Sequence, residues 1–185
     1  MEQTDEVLIE LYRNGDEAAL AVLIKRHFAS IYSYIYRFVH HASAAEDVTQ
    51  EVFIKVWRQI DRFKPGMGLR PWLFRIARNT AIDYLRKKKA IPFSYFADQG
   101  GEAVFADADA DSLEQAMEKE DQALLDEAVQ DLPLKYREVV LLRAEQGLTF
   151  EEISTALSKP LNTVKSLYRR GLAQLHQYIS SKRSI

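Results

Sequence analysis

Arg75, Arg78, Asn79 and Arg86, running on into Lys87, Lys88 and Lys89, hold much of the chemistry this chain offers. At about 100° per residue the first four share one face of a helix. Between Phe63 and Lys89 eight Lys and Arg stand against a single acid, Asp83. Solvated helix faces ordinarily interleave both signs, so a stripe of one sign is suited to phosphates. Asn79 adds a donor and an acceptor that can read a base edge. Phe63, Trp72, Phe74 and Tyr84 lie close by, and an exposed ring stacks on an unpaired base at ~1 to 3 kcal/mol. The competing reading places most of these rings, with Trp57, in the core. Only the arginines and the loop before them then need a partner.

A second cationic group lies near the C-terminus. The same rotation puts Val164, Leu167, Tyr168, Gly171, Leu172, Leu175 and Ile179 on one face, with Lys165, Ser166, Arg169 and Arg170 on the other. Two helices joined by about four residues, Ser158 to Leu161, have the spacing of a helix-turn-helix. Periodicity alone leaves open whether the polar face meets DNA or only water. Catalytic patterns are missing: there is no phosphate-cradling Gly loop and no Cys, and His27, His40, His41 and His176 show no metal-protease spacing. The expectation is a protein that is not an enzyme and holds neither metal nor cofactor.

These clusters need helices to carry them, and helical spacing of apolar residues dominates both ends of the chain while alternating strand patterns are absent. The sequence predicts a first helix from Asp5 to Arg13 ending at Asn14-Gly15. A second runs from Asp16 to Val39 and buries Leu20, Leu23, Ile24, Phe28, Ile31, Ile35 and Phe38. A third opens on Ser43 and Glu46, spaced as a capping box, and buries Val48, Val52, Val56 and Ile60 while Asp47, Gln50, Glu51 and Lys55 face outward. "FKPGMGLRP" reads as a loop, with Pro71 in the first turn of the basic helix, whose inner side takes Leu73, Ala77, Thr80 and Tyr84. Beyond Ala90 period is lost until Leu113. Thr149 and Glu152 form another capping box, and Asn162 is placed to cap the last helix.

Charge follows the same division. Residues 1–89 carry 15 Lys and Arg against 11 acids and residues 122–185 carry 9 against 7, but residues 90–121 carry 9 acids and only Lys119, for a net −2. Such a middle segment reads as a flexible, self-repelling linker. The acidic N-terminus is unlike a signal peptide, no apolar run approaches the ~18 to 20 residues of a bilayer span, and Cys is absent, so the expectation is a cytoplasmic protein without direct membrane insertion.

"AEDVTQEVFIKVW", "PWLFRIARNTAIDYLRKKK", "LPLKYREVVLLR" and "GLTFEEISTAL…NTVKS", in that order and broken by an acidic linker, resemble bacterial RNA polymerase sigma factors of the extracytoplasmic-function (ECF) group. The resemblance implies an all-α chain of two small helical domains. Residues 1–89 would form a region 2-like domain, 90–112 the linker, and 113–185 a region 4-like helix-turn-helix domain. It also implies that Asp47, Gln50, Glu51 and Phe53 bind the clamp helices of core polymerase. Gln59, Phe63, Lys64, Arg75, Arg78, Asn79 and Arg86 would capture and open the minus-ten element, with a flipped non-template base held under the loop and contacted by Asn79. Thr163, Lys165, Ser166, Arg169 and Arg170 would read the minus-thirty-five element as duplex, with the domain seated on the polymerase flap. An anti-sigma factor is the implied regulator. Family members often carry Arg where Leu167 stands and Ala-Arg where Gly171-Leu172 stand, so the recognition helix here is modestly basic. The rival to this reading is an autonomous helix-turn-helix regulator of duplex operators, which leaves Arg75, Arg78 and Arg86 without a role.

Overall fold

A computed structural model describes residues 3–64, 66, 68–89 and 122–183, and the described residues are helical with no strand. The chain divides into two compact units, one formed mainly by residues up to Ile91 and the other mainly by residues from Pro92 on. The expected linker at 90–112 and the resumption of helix at Leu113 lie outside the described residues.

In the first unit α1 (Asp5–Arg13), α2 (Glu17–Val39), α3 (Ala42–Gln59) and α4 (Leu69–Lys89) enclose one core, with α2 packed against the other three. Thr4 and Asp16 cap α1 and α2, each accepting from a backbone N–H of the first turn. Leu8 and Ile9 of α1, Val52 and Val56 of α3 and Ala77 and Ala81 of α4 are each at most 2% exposed, as the helical period requires. Tyr34 is fully buried at the centre, 4.8 Å from Phe38 and edge-on to Phe74 at 5.3 Å between centroids.

Three local expectations are corrected here. The cap of α3 is His41, whose Nδ1 accepts from the Ala44 N–H (3.4 Å), rather than Ser43. His40 closes α2 in the left-handed region (φ 51), which leaves His41 extended, and an N-cap needs that non-helical backbone. Phe28, expected inside, is 42% exposed and stacks on Tyr32 (6.3 Å) and Phe53 (5.9 Å). Lys55 turns sideways between Glu51 (2.8 Å) and the Thr80 hydroxyl (3.1 Å), tying α3 to α4.

The second unit contains α5 (Gln122–Asp131), α6 (Leu134–Val140), most of α7 (Phe150–Leu157) and α8 (Leu161–Arg183). A π-helical turn, Leu141–Glu145, prolongs α6, and Gly147 (φ +65) reverses the chain as its lack of a Cβ allows. The capping box of α7 forms reciprocally: Thr149 N–H donates to Glu152 Oε2 (2.7 Å), and Glu152 N–H to Thr149 Oγ1 (3.2 Å). Between α7 and α8 the Ser154 hydroxyl donates to the Lys159 carbonyl (2.6 Å), and Ser158 is left-handed (φ 54). Asn162 is not the cap of α8. The Pro160 carbonyl already accepts from Val164 N–H (3.0 Å), so Asn162 falls inside the first turn.

α8 crosses α6 and α5. At Gly171 the approach is tight: a Cβ there would meet Val140 Cγ2 at 2.7 Å and Tyr136 Cβ at 3.3 Å. Toward the end of α8, Lys182 lies 3.5 Å from Glu127. The Tyr178 phenol is pushed up to about 12, by desolvation first and then by its hydrogen bond to Glu127 and the charges of Glu127 and Asp131.

Candidate nucleic-acid interface

The loop after α3 and the helix after the loop form the first cationic surface. A 3₁₀ turn at Ile60–Arg62 carries α3 into the loop, where the Phe63 ring is only 4% exposed and lies 5.2 Å from Trp72. That pair joins the loop's start to the first turn of α4. Gly68 (φ +68) holds the left-handed backbone through which the loop enters the helix, a conformation that a residue with a Cβ rarely adopts, although a Cβ there would only touch Pro71 Cδ at 3.4 Å. Pro71 falls in the first helical turn, as the sequence implied.

From there α4 presents its charges in register. Trp72, Asn79 and Arg86 recur at seven-residue intervals along one stripe, with Asn79 about 10 Å beyond Trp72. Asn79 is exposed, and its Oδ1 accepts from Arg78 Nη1 (3.3 Å). Arg78 and Arg75 are half-buried and Arg86 is exposed, 3.7 Å from Asp83. Gln59 and Lys64 are exposed on either side of the 3₁₀ turn. Of the rings, Phe63 and Phe74 are core, Trp72 and Tyr84 are half-buried and Trp57 is 54% exposed, so the core reading holds for two of the five; Lys64 and Arg86 face solvent, whereas Arg75 donates to the backbone carbonyls of Thr155 and Ala156. Tyr84, expected on the inner side, carries Lys88 over its ring at 5.6 Å.

The outer face of α3 is a second surface. Asp47, Gln50 and Glu51 are exposed, as expected. Phe53 is not: at 8% exposure it turns inward beneath Phe28 and supports the face rather than lining it. Ile54 (47% exposed) and Trp57 (54%) take its place among the acids, a feature the sequence reading missed. A helical wheel carries the signal, since Ile54 falls on the arc of Asp47, Gln50, Glu51 and Arg58. Tyr36 and Phe28 extend an exposed aromatic row along α2, with Tyr32 between them.

On α8 the third surface follows the predicted rotation. Lys165 and Arg169 are exposed and Thr163, Ser166 and Arg170 are half-buried, whereas Val164, Leu167, Tyr168 and Leu175 are buried. Phe150 of α7 meets Tyr168 edge-on at 5.4 Å, and Arg143 lies over the Phe150 ring at 5.1 Å.

Residues 23–91 match Sigma-70 region 2 and residues 122–175 match Sigma-70, region 4. RNA polymerase sigma-H factor of Pseudomonas aeruginosa is 34% identical over 89% of this chain and 88% of its own length. The chain belongs to the ECF sigma factors of the sigma-70 family. ECF RNA polymerase sigma-E factor of Escherichia coli is 32% identical over 88% of this chain and 87% of its own. ECF sigma factor SigW of Bacillus subtilis is 30% identical over 97% and 98%. Among solved structures, CnrH in complex with the cytosolic domain of CnrY superposes with a TM-score of 0.72 at 24% identity, covering 96% of this chain and 97% of that one. RpoE of Bartonella quintana, solved with the anti-sigma factor NepR, gives 0.63 at 22% over 85% and 94%; both establish the shared fold. The sigma factor is thus a promoter-directing subunit of RNA polymerase, with one described surface in each matched region carrying cations. The autonomous-regulator alternative accounts for the region 4 match alone. No described helix is long and apolar enough to cross a membrane, and no group of described residues has the makings of a metal site.

Proposed function

We propose that this sigma factor divides its work among the three surfaces. The α3 face, with Asp47, Gln50 and Glu51 around Ile54 and Trp57, docks on the clamp helices of core polymerase, and buried Phe53 holds that face in shape. Residues 1–89 act as the domain that opens the minus-ten element. Gln59, Phe63 and Lys64 border the place where a flipped non-template base enters, Asn79 hydrogen-bonds its edge, and Arg75, Arg78 and Arg86 follow the strand's phosphates. Residues 113–185 act as the domain that sits on the flap and reads the minus-thirty-five duplex. There Lys165 and Arg169 reach base edges or phosphates from the start of α8, flanked by Thr163, Ser166 and Arg170. Segment 90–112 tethers the two along the polymerase surface. The factor works in the cytoplasm, restrained by an anti-sigma factor; the RpoE neighbour was solved with one.

The observation that carries the minus-ten assignment is the exposed Arg78–Asn79 pair on the same stripe as Trp72, which is packed on the loop through Phe63. A carboxamide whose acceptor is satisfied by a neighbouring guanidinium offers its donors to a base, and it does so beside a loop fixed by ring packing. Asn79→Ala should impair promoter opening, seen by permanganate footprinting, about tenfold or more, the loss of one good base contact. Core affinity in a pull-down should be unchanged. Equal loss of both would remove Asn79 from the pocket.

A further inference from the structure

The match to region 2 begins at residue 23, leaving α1 outside it. Yet α1 ends against the loop just described. Arg13 Nη2 lies 3.0 Å from the Ile60 carbonyl, 3.1 Å from that of Asp61 and 2.7 Å from that of Phe63. The Ile60 carbonyl also accepts from Phe63 N–H (3.1 Å), and a cation that donates to carbonyls at a helix end complements their partial negative charge and fixes the direction in which the chain leaves. Two N–H groups shared among three carbonyls, one of them already in the loop, therefore set the backbone of the residue whose ring packs on Trp72.

The donor itself is held from behind. Arg13 Nη1 is 3.3 Å from Glu10, and Leu8 and Ile9 are buried. At the other end of α1, Asp5 bridges Arg26 (2.6 Å) and His27 (2.8 Å) of α2. The Arg13 guanidinium thus reaches the loop from a rigid element, as a supporting group must if it is to fix a site.

We infer that Arg13 is a positioning residue for promoter opening: it holds the start of the Phe63–Gly68 loop in the geometry that receives the flipped base, without touching DNA. The inference rests on the minus-ten reading of α4 and the loop. Its test uses holoenzyme assembled from core polymerase and Arg13→Ala, Arg13→Lys or Asn79→Ala. The probe is a fluorescent single strand bearing the minus-ten element of a promoter that the wild-type holoenzyme selects from a library. Core affinity and thermal melting of each variant are measured alongside.

Arg13→Ala should weaken capture of the strand about tenfold, as expected when a site is displaced by a fraction of an ångström. Arg13→Lys should recover part of the loss, because an ammonium reaches the carbonyls without the planar fork. Core affinity should stay within about twofold, since the α3 face is untouched. Capture unchanged in Arg13→Ala while Asn79→Ala loses it overturns the role of Arg13 alone. Capture unchanged in Asn79→Ala overturns the reading beneath it. Parallel loss of capture, core affinity and melting temperature in both Arg13 variants reduces Arg13 to a residue of the fold.

Discussion

At the scale of single residues the two surfaces proposed to meet DNA differ in kind. The surface proposed for the minus-ten element pairs one amide with guanidinium groups, whereas the α8 surface has two exposed cations, Lys165 and Arg169, one turn apart on the same stripe. Leu167 and Gly171 are buried, and beside these two cations Thr163, Ser166 and Arg170 at the start of the helix offer polar groups. Replacing Lys165 or Arg169 with Ala should cost roughly 1 to 3 kcal/mol per lost base contact and relax the preference at the matching minus-thirty-five positions. A library selection with each variant holoenzyme measures this; an unaltered preference with a shallower salt dependence would instead assign the residue to phosphate.

At the scale of elements, Gly171 shows how packing overrides propensity. Ala ordinarily stabilises a helix interior over Gly by about 0.5 to 1 kcal/mol. Here the added methyl would stand 2.7 Å from Val140 Cγ2, and overpacking of this kind costs roughly 1 to 3 kcal/mol. Gly171→Ala should therefore lower stability, read as a reduced denaturation midpoint. In a Val140→Ala background, which removes the clashing methyl groups, the same change should become neutral or stabilising. That reversal of sign is the coupling expected of residues in contact. Its functional consequence is that α8 lies close enough to α6 for its opposite face to project free of the unit.

Across the whole molecule, charge is arranged by segment rather than by total. Net charge is −2, with mildly basic ends and nine acids between residues 90 and 121. A chain with so little global positive charge gathers DNA poorly by long-range attraction, and its basic faces act once a larger assembly has placed them. The free sigma factor should accordingly bind promoter duplex at least about a hundredfold more weakly than the holoenzyme does, and support start-site-selective transcription only with core. Fluorescence anisotropy and run-off transcription with purified components test both. A tight footprint from the free chain, with no transcript on adding core, would favour the operator-binding alternative.

The order of helices, the stripe of Arg75, Arg78, Asn79 and Arg86, and the rotation of α8 were determined by the sequence itself. Each rests on spacing along a single helix, and a helix translates spacing into direction by fixed geometry. The capping box at Thr149 was equally local. Tertiary structure decided what spacing leaves degenerate: that Phe53 turns in while Ile54 and Trp57 turn out, and that His41 rather than Ser43 starts α3 after a left-handed His40. It also decided that Arg13 closes on carbonyls some fifty positions away. Such contacts join elements whose separation along the chain carries no periodic signal, and only the packed core brings them within hydrogen-bonding distance.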